Sequence, residues 1–186
     1  MKVELRPLRA ADLPRVALLE IELFGRSAWS FGMLAEELGA LGRWYVAAEE
    51  VREDRVGPGE VVGYAGLWFD GELSQIMTIG VATVAQHDGI GSRLLQALID
   101  HSRTLGARGL LLEVAVTNRP AIAMYEKFGF ARLGVRKRYY QPEDVDAWTM
   151  RLDLEPVTAA PGSSHESADD EPADREPTAS REPENA

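Results

Sequence analysis

Between Lys2 and Leu154 the apolar residues change their period several times, and each change marks an element. Val3 and Leu5, alternating with charged neighbours, predict a short first strand. Val16, Leu19 and Leu23 share one helical face behind Asp12, a candidate N-cap, and Pro14, which suits a first turn; Gly25 predicts the end of that helix. Ser30 is a second candidate N-cap, ahead of an apolar stripe of Phe31, Leu34 and Leu38 that Gly39 and Gly42 close. Trp29, in the connection between these helices, reads as a buried anchor. Residues 44–49 and 60–69 predict two strands around the charged, Gly- and Pro-bearing stretch 52–59. The Asp70-Gly71 pair predicts a hairpin turn into a strand over 73–82, giving an antiparallel meander.

After that meander comes a polar loop with two glycines, and then Ile90, Leu94, Leu95, Leu98 and Ile99 take up amphipathic helical spacing until about Gly106. Leu110 to Val116 predicts a fifth strand, apolar except for Glu113. Asn118 as cap, Pro120 in the first turn and Gly129 beyond the last turn frame another helix. Strands over 131–139 and 148–154, joined by the turn-like Gln141-Pro142-Glu143-Asp144, complete the order. The expected fold class is α/β (α+β), a mixed central sheet of about seven strands flanked by about four helices.

Beyond Leu154 the periodicity stops. Residues 155–186 are rich in Glu, Asp, Pro, Ser and Ala with almost no large apolar side chain, and are expected to form a disordered acidic tail behind a single domain over 1–154. Nine acidic and two basic residues in that tail account for most of the formal net charge of -10, leaving -3 on the domain. No clustered basic footprint exists, which disfavours direct nucleic-acid binding. The absence of cysteine excludes disulfides, thiolate metal sites and a Cys nucleophile, and three scattered histidines argue against a metal centre. The first residues lack the apolar core of a signal peptide and no apolar run reaches membrane-spanning length, so a cytoplasmic protein with no membrane partner is expected.

The stretch Gln75 to Ser92 carries the strongest chemical signal. A strand, a backbone-rich loop and a helix N-terminus together aim unpaired N–H groups and a positive dipole end at one place, as a phosphate or pyrophosphate requires. A Walker A loop is ruled out because Ser92-Arg93 follows Gly91 in place of Lys and Ser or Thr. A dinucleotide fingerprint is ruled out by Leu94 at the third small position. The spacing that fits is Gln86-x-x-Gly89-x-Gly91.

With Ile79-Gly80-Val81, Leu112-Glu113-Val114, Asn118, the run Ala121 to Phe130 and Arg138-Tyr139-Tyr140, this loop resembles the GNAT family of acetyl-CoA-dependent N-acetyltransferases across residues 1–154. Within that family the chain is similar to the RimI type, which acetylates the N-terminal alanine of the eighteenth small-subunit ribosomal protein. The resemblance implies the acyl-CoA N-acyltransferase fold, acetyl-CoA as donor cosubstrate with no metal, and a protein or peptide N-terminus as substrate. It implies that backbone groups of Ile79, Gly80 and Val81 pair with the pantetheine arm, that amides of His87, Asp88, Gly89, Ile90, Gly91 and Ser92 hold the pyrophosphate, and that Asn118 contacts the pantetheine or sulfur end. His87 is then at most a phosphate neighbour. Asp88 departs from the basic or amide residue more usual there, and its side chain is expected to point to solvent.

An α-amino group, with an unperturbed pKa of roughly 7.7 to 8.0 against about 10.4 for Lys, needs only modest base assistance. Strand alternation puts Glu113 on a face with Leu111 and Ala115, where a carboxylate either reaches a cleft or is an ordinary surface residue. The resemblance makes it the base, directly or through water, and makes Tyr125 the general acid for the sulfur; core packing is the other role open to Tyr125. The resemblance also implies that the peptide enters between residues 27–30 and the 139–144 hairpin, where Tyr139 and Tyr140 either grip it or pack on the sheet. The alternatives are acetylation of Lys or a small amine, and a non-catalytic module that binds CoA or a partner.

Overall fold

The computed structural model describes residues 1–51, 57 and 59–154. Most of the 52–59 connection and the whole expected tail, 155–186, lie outside the described residues. The elements run β1 (Val3–Pro7), α1 (Leu13–Phe24), α2 (Phe31–Gly39), β2 (Arg43–Glu50), β3 (Val61–Phe69), β4 (Ser74–Val81), α3 (Ile90–Thr104), β5 (Gly109–Ala115), α4 (Arg119–Lys127), β6 (Ala131–Tyr140) and β7 (Val145–Asp153). The seven strands form one sheet in the order β1-β2-β3-β4-β5-β7-β6, antiparallel throughout except for β4 and β5, whose parallel pairing follows the α3 crossover. This is the expected mixed sheet with four α-helices.

Local chemistry accounts for most element ends. The Ser30 hydroxyl accepts from Met33 N at 3.3 Å and Asn118 Oδ1 from Ala121 N at 3.2 Å, so both residues cap as their types prefer. Asp70 Oδ1 accepts from Glu72 N and Leu73 N, closing the β3–β4 turn. Three details differ from expectation. Asp12 does not cap α1; its carboxylate takes Arg9 N and the Arg6 guanidinium, because β1 brings Arg6 within reach. In the short α2 only Leu34 is buried, Leu38 is half-buried and Phe31, in the first turn, is 52% exposed. β7 starts at Val145, three residues early, because hairpin pairing with Tyr140 recruits Val145, Asp146 and Ala147 ahead of Trp148.

The core lies on both faces of the sheet. A Cβ added at Gly63 would meet Leu94 and Ile90 of α3 at 3.2 and 3.3 Å, whereas one at Gly80 would meet Tyr64 at 2.6 Å and Leu23 of α1 at 2.9 Å. Two irregularities position the site. Between β3 and β4, Leu67 pairs with Ile76 and Gly66 with Thr78, so Met77 is an extra residue and β4 bends there. β4 consequently pairs with β5 only at Ser74↔Leu110 and Gln75↔Leu111, and beyond these the strands part. Between β6 and β7, Arg136 pairs with Ala147 and Tyr140 with Val145, a bulge with Arg138 at φ 52° that redirects the end of β6.

Candidate active site

The opening between β4 and β5 is the floor of a cavity of about 770 Å³. Past Gln75, the β4 edge facing β5 has no strand partner among the described residues, so its backbone N–H and C=O groups are open to an extended ligand. Ile79 lines the cavity; Gly80 and Val81 lie outside its lining and continue β4 toward the glycine loop. Gly80 must lack a side chain because Tyr64 and Leu23 already fill the space above it.

The loop after β4 turns on His87 at φ 69° and Gly89 at φ 75°, both left-handed. Its start is tied back by Gln86, whose side-chain amide donates to Val81 O at 3.1 Å. Among the described residues the first backbone bond of α3 runs from Arg93 N to Gly89 O at 3.1 Å, so the N–H groups of Ile90, Gly91 and Ser92 precede it without an intrahelical partner. Such a run of amides at a helix start suits a diphosphate. Asp88 is exposed, its side chain in solvent as expected, and its Oδ2 is 2.9 Å from Met1 N. His87, exposed in this loop, is well removed in the chain from Glu113 and Tyr125 and does not line the cavity.

Glu113, Asn118 and Tyr125 all line the cavity, together with Tyr139 and Tyr140. Glu113 is on the half-buried face of β5, opposite Leu112 and Val114. Its Oε2 accepts from Gln75 Nε2 at 2.9 Å and its Oε1 from Arg136 at 3.0 Å, so both oxygens are engaged and its charge is paired. The Tyr140 hydroxyl donates to Glu113 O at 3.1 Å, and Arg136 lies 4.4 Å over the Tyr139 ring. The bulge in β6 thus brings both tyrosines to the cavity rather than leaving them flat on the sheet. Asn118 uses Oδ1 for its cap and itself lines the cavity; no protein bond to its NH₂ occurs among the described residues. Tyr125 is buried, with its ring tilted against Phe130 at 5.7 Å, and no protein hydrogen bond to its hydroxyl occurs among the described residues. Burial, reinforced by Tyr140, pushes that hydroxyl well above the usual phenol range, which keeps it a proton donor.

The opposite wall comes from the α1–α2 connection and the β6–β7 turn, which touch: Ser27 donates to Gln141 O at 2.9 Å. Trp29, half-buried, packs against the core as an anchor, and its N–H also donates to Glu20 Oε2 at 2.9 Å. Glu20 also takes the Tyr64 hydroxyl and, at 3.4 Å, the Thr78 hydroxyl. Sequence reasoning missed Glu20, Gln75, Thr78 and Arg136. Glu20 alone carried a signal, a carboxylate four residues after Val16 within the apolar stripe of α1. Gln75, Thr78 and Arg136 acquire their roles only through strand register. Among the described residues no group of three His, Cys, Asp or Glu is placed to hold a metal ion.

Residues 16–130 match the model of the acetyltransferase (GNAT) family. The chain belongs to the GNAT family. Its sequence is 39% identical over 156 residues to the N-alpha-acetyltransferase RimI of Mycobacterium tuberculosis, covering 81% of this chain and 92% of that protein. The crystal structure of the ribosomal-protein-S18-alanine N-acetyltransferase of Escherichia coli superposes with a TM-score of 0.71 at 25% identity, over 88% of this chain and 99% of that one. A GNAT phosphinothricin acetyltransferase from Sinorhizobium meliloti, solved with AcCoA, superposes with a TM-score of 0.70 at 25% identity, over 88% and 95%. GNAT membership accounts for the cleft and loop as one acetyltransferase scaffold.

Proposed function

We propose that the chain is a protein N-terminal α-acetyltransferase of the RimI type, moving the acetyl group of acetyl-CoA to the N-terminal alanine of the eighteenth small-subunit ribosomal protein in a ternary complex. The observation that carries this reading is the single cavity joining the open β4 edge, Glu113, Asn118 and Tyr125 to a wall formed by two loops, room for a donor on one side and a chain end on the other. The similarity to RimI proteins supports the substrate. A ribosomal substrate implies action in the cytoplasm; no helix among the described residues is long and apolar enough to cross a membrane.

Acetyl-CoA supplies an activated thioester. The open edge from Ile76 to Gly80, with Val81 O held by the Gln86 amide at its end, fits its extended pantetheine arm, and the amides of His87 to Ser92 fit its diphosphate. Asn118 orients the sulfur end through its free NH₂. Glu113, with both oxygens already hydrogen-bonded, takes the amine proton through a water, while Gln75 and Arg136 fix its position. The Tyr125 hydroxyl, held protonated by burial, donates to the departing sulfur. Tyr139 and Tyr140 flank the entering backbone.

Mass spectrometry of acetyl transfer by the purified full chain tests this. A peptide carrying the ribosomal N-terminus should gain one acetyl group on its α-amine faster than Lys-centred peptides and small amines. Equal rates on all three, or a preference for either alternative, would reject the assignment.

A further inference from the structure

Three carboxylates line the cavity, and they differ in what neutralises them. Glu113 has Arg136 as a counter-ion. Glu143 sits on the exposed β6–β7 turn, where water screens it. Glu20 is 2% exposed, and the hydrogen bonds it accepts come from neutral donors: the Trp29 amide, the Tyr64 hydroxyl and the Thr78 hydroxyl. No Lys, Arg or His forms an ion pair with it among the described residues. A charge so placed acts over a longer distance than an exposed one. Thr78 is half-buried and itself lines the cavity, so donating its proton to Glu20 Oε1 leaves its oxygen lone pairs for a cation inside.

Building on the reading of the chain as an amine acetyltransferase, we propose that Glu20, acting through the Thr78 hydroxyl, is the positioning residue for the ammonium group of the acceptor. Glu20 draws the charged amine to the α1 side of the cavity. Glu113 on β5 then removes the proton. The two carboxylates divide the work: the unpaired charge on α1 selects a cation, and the paired one on β5 handles its deprotonation. The same contact joins recognition to the α1–α2 connection, because the other Glu20 oxygen holds the Trp29 amide. Burial, then the Glu20 charge itself, hold the Tyr64 hydroxyl protonated above the usual phenol range, so Tyr64 remains a donor to Glu20.

The test compares two peptides bound to the full chain in the presence of CoA: the ribosomal N-terminal peptide, and the same peptide with its first residue replaced by propionyl, which lacks the ammonium group. Wild type should bind the first roughly tenfold to a hundredfold more tightly, the range expected for a hydrogen bond to a charged group. Glu20→Gln should bring that ratio close to one while CoA affinity stays unchanged, and Thr78→Val, which keeps the side-chain shape, should lower the ratio in the same direction even if Glu20→Gln folds poorly. A purely structural Glu20 would weaken both peptides alike and leave the ratio intact; that result, or an unchanged ratio in Thr78→Val, overturns the proposal. If wild type acetylates Lys-centred peptides instead, the N-terminal reading fails separately, and the same ratio is read on a Lys peptide against its norleucine counterpart.

Discussion

Replacing Tyr125 by Phe removes one oxygen from the cavity wall and leaves the ring against Phe130 in place. Since no protein group bonds to that hydroxyl among the described residues, its removal breaks no hydrogen bond, and stability should change by less than about 1 kcal/mol. Catalysis should change more, and by an amount with a physical ceiling. An alkyl thiol such as that of cysteine has a pKa of about 8.5, so at about pH 7.5 a thiolate leaving without its proton lies only about 1.4 kcal/mol above the thiol. A hydrogen bond to a developing charge contributes about 1.5–3 kcal/mol, and since both figures describe the same proton they are not added. The expected fall in kcat is roughly tenfold to a hundredfold, short of the upper end of about 10⁴ for general acid–base catalysis. Because burial raises the Tyr125 pKa, the hydroxyl stays protonated through the working range, and kcat of the wild type should not fall on its account up to about pH 9.5. The assay is steady-state thiol release with saturating peptide, run across pH alongside thermal unfolding. Retention of kcat within about twofold, or an alkaline limb near about pH 8.5 that disappears in the variant, would refute the reasoning.

Glu113→Gln should lower kcat/KM most at about pH 7 and recover toward wild type above about pH 8.5, where an α-amine has already lost its proton; a loss independent of pH would exclude the base role. Gly80→Ala forces a Cβ to within 2.6 Å of Tyr64 and 2.9 Å of Leu23 and should destabilise by about 1–3 kcal/mol, whereas Gly91→Ala meets nothing closer than Met124 Sδ at 3.5 Å and should be near neutral in a denaturant titration. Arg6→Met tests the acid limb of stability. Asp12 and Glu49 are held below the usual carboxylate range, first by their hydrogen bonds from Arg6, so their stabilisation is complete above about pH 4.5 and is lost as pH falls through the depressed folded values. The variant should unfold at lower temperature at neutral pH and show a flatter loss between about pH 5 and 3.

Much of the architecture was legible along the chain because the signals are local. Ser30 and Asn118 cap their helices, the Asp70 turn closes as its side chain dictates, and the alternation around Glu113 puts it on the face expected. The glycine loop was legible too, since a strand followed by two glycines and a helical stripe admits few geometries. Local signals failed where a partner from elsewhere in the chain competes. Asp12 resembles a cap until β1 delivers Arg6, and the last strand is expected from Trp148 until pairing of Val145 with Tyr140 extends it.

The chemistry divides along the same line. Residue types and spacing alone pointed to an anion-binding loop after β4, because a strand, two glycines and a helix start present backbone amides together; Glu113 and Tyr125 stood out only through the GNAT resemblance. Tertiary structure decided how each group is tuned. The extra residue Met77 opens β4 from β5, and the bulge around Arg138 swings Tyr139 and Tyr140 inward. Register across the sheet gives Glu113 a counter-ion in Arg136, while Glu20, packed in α1, has none among the described residues. Which carboxylate has a counter-ion and which has only neutral donors depends on distances between residues far apart in the chain, and no periodicity records those distances.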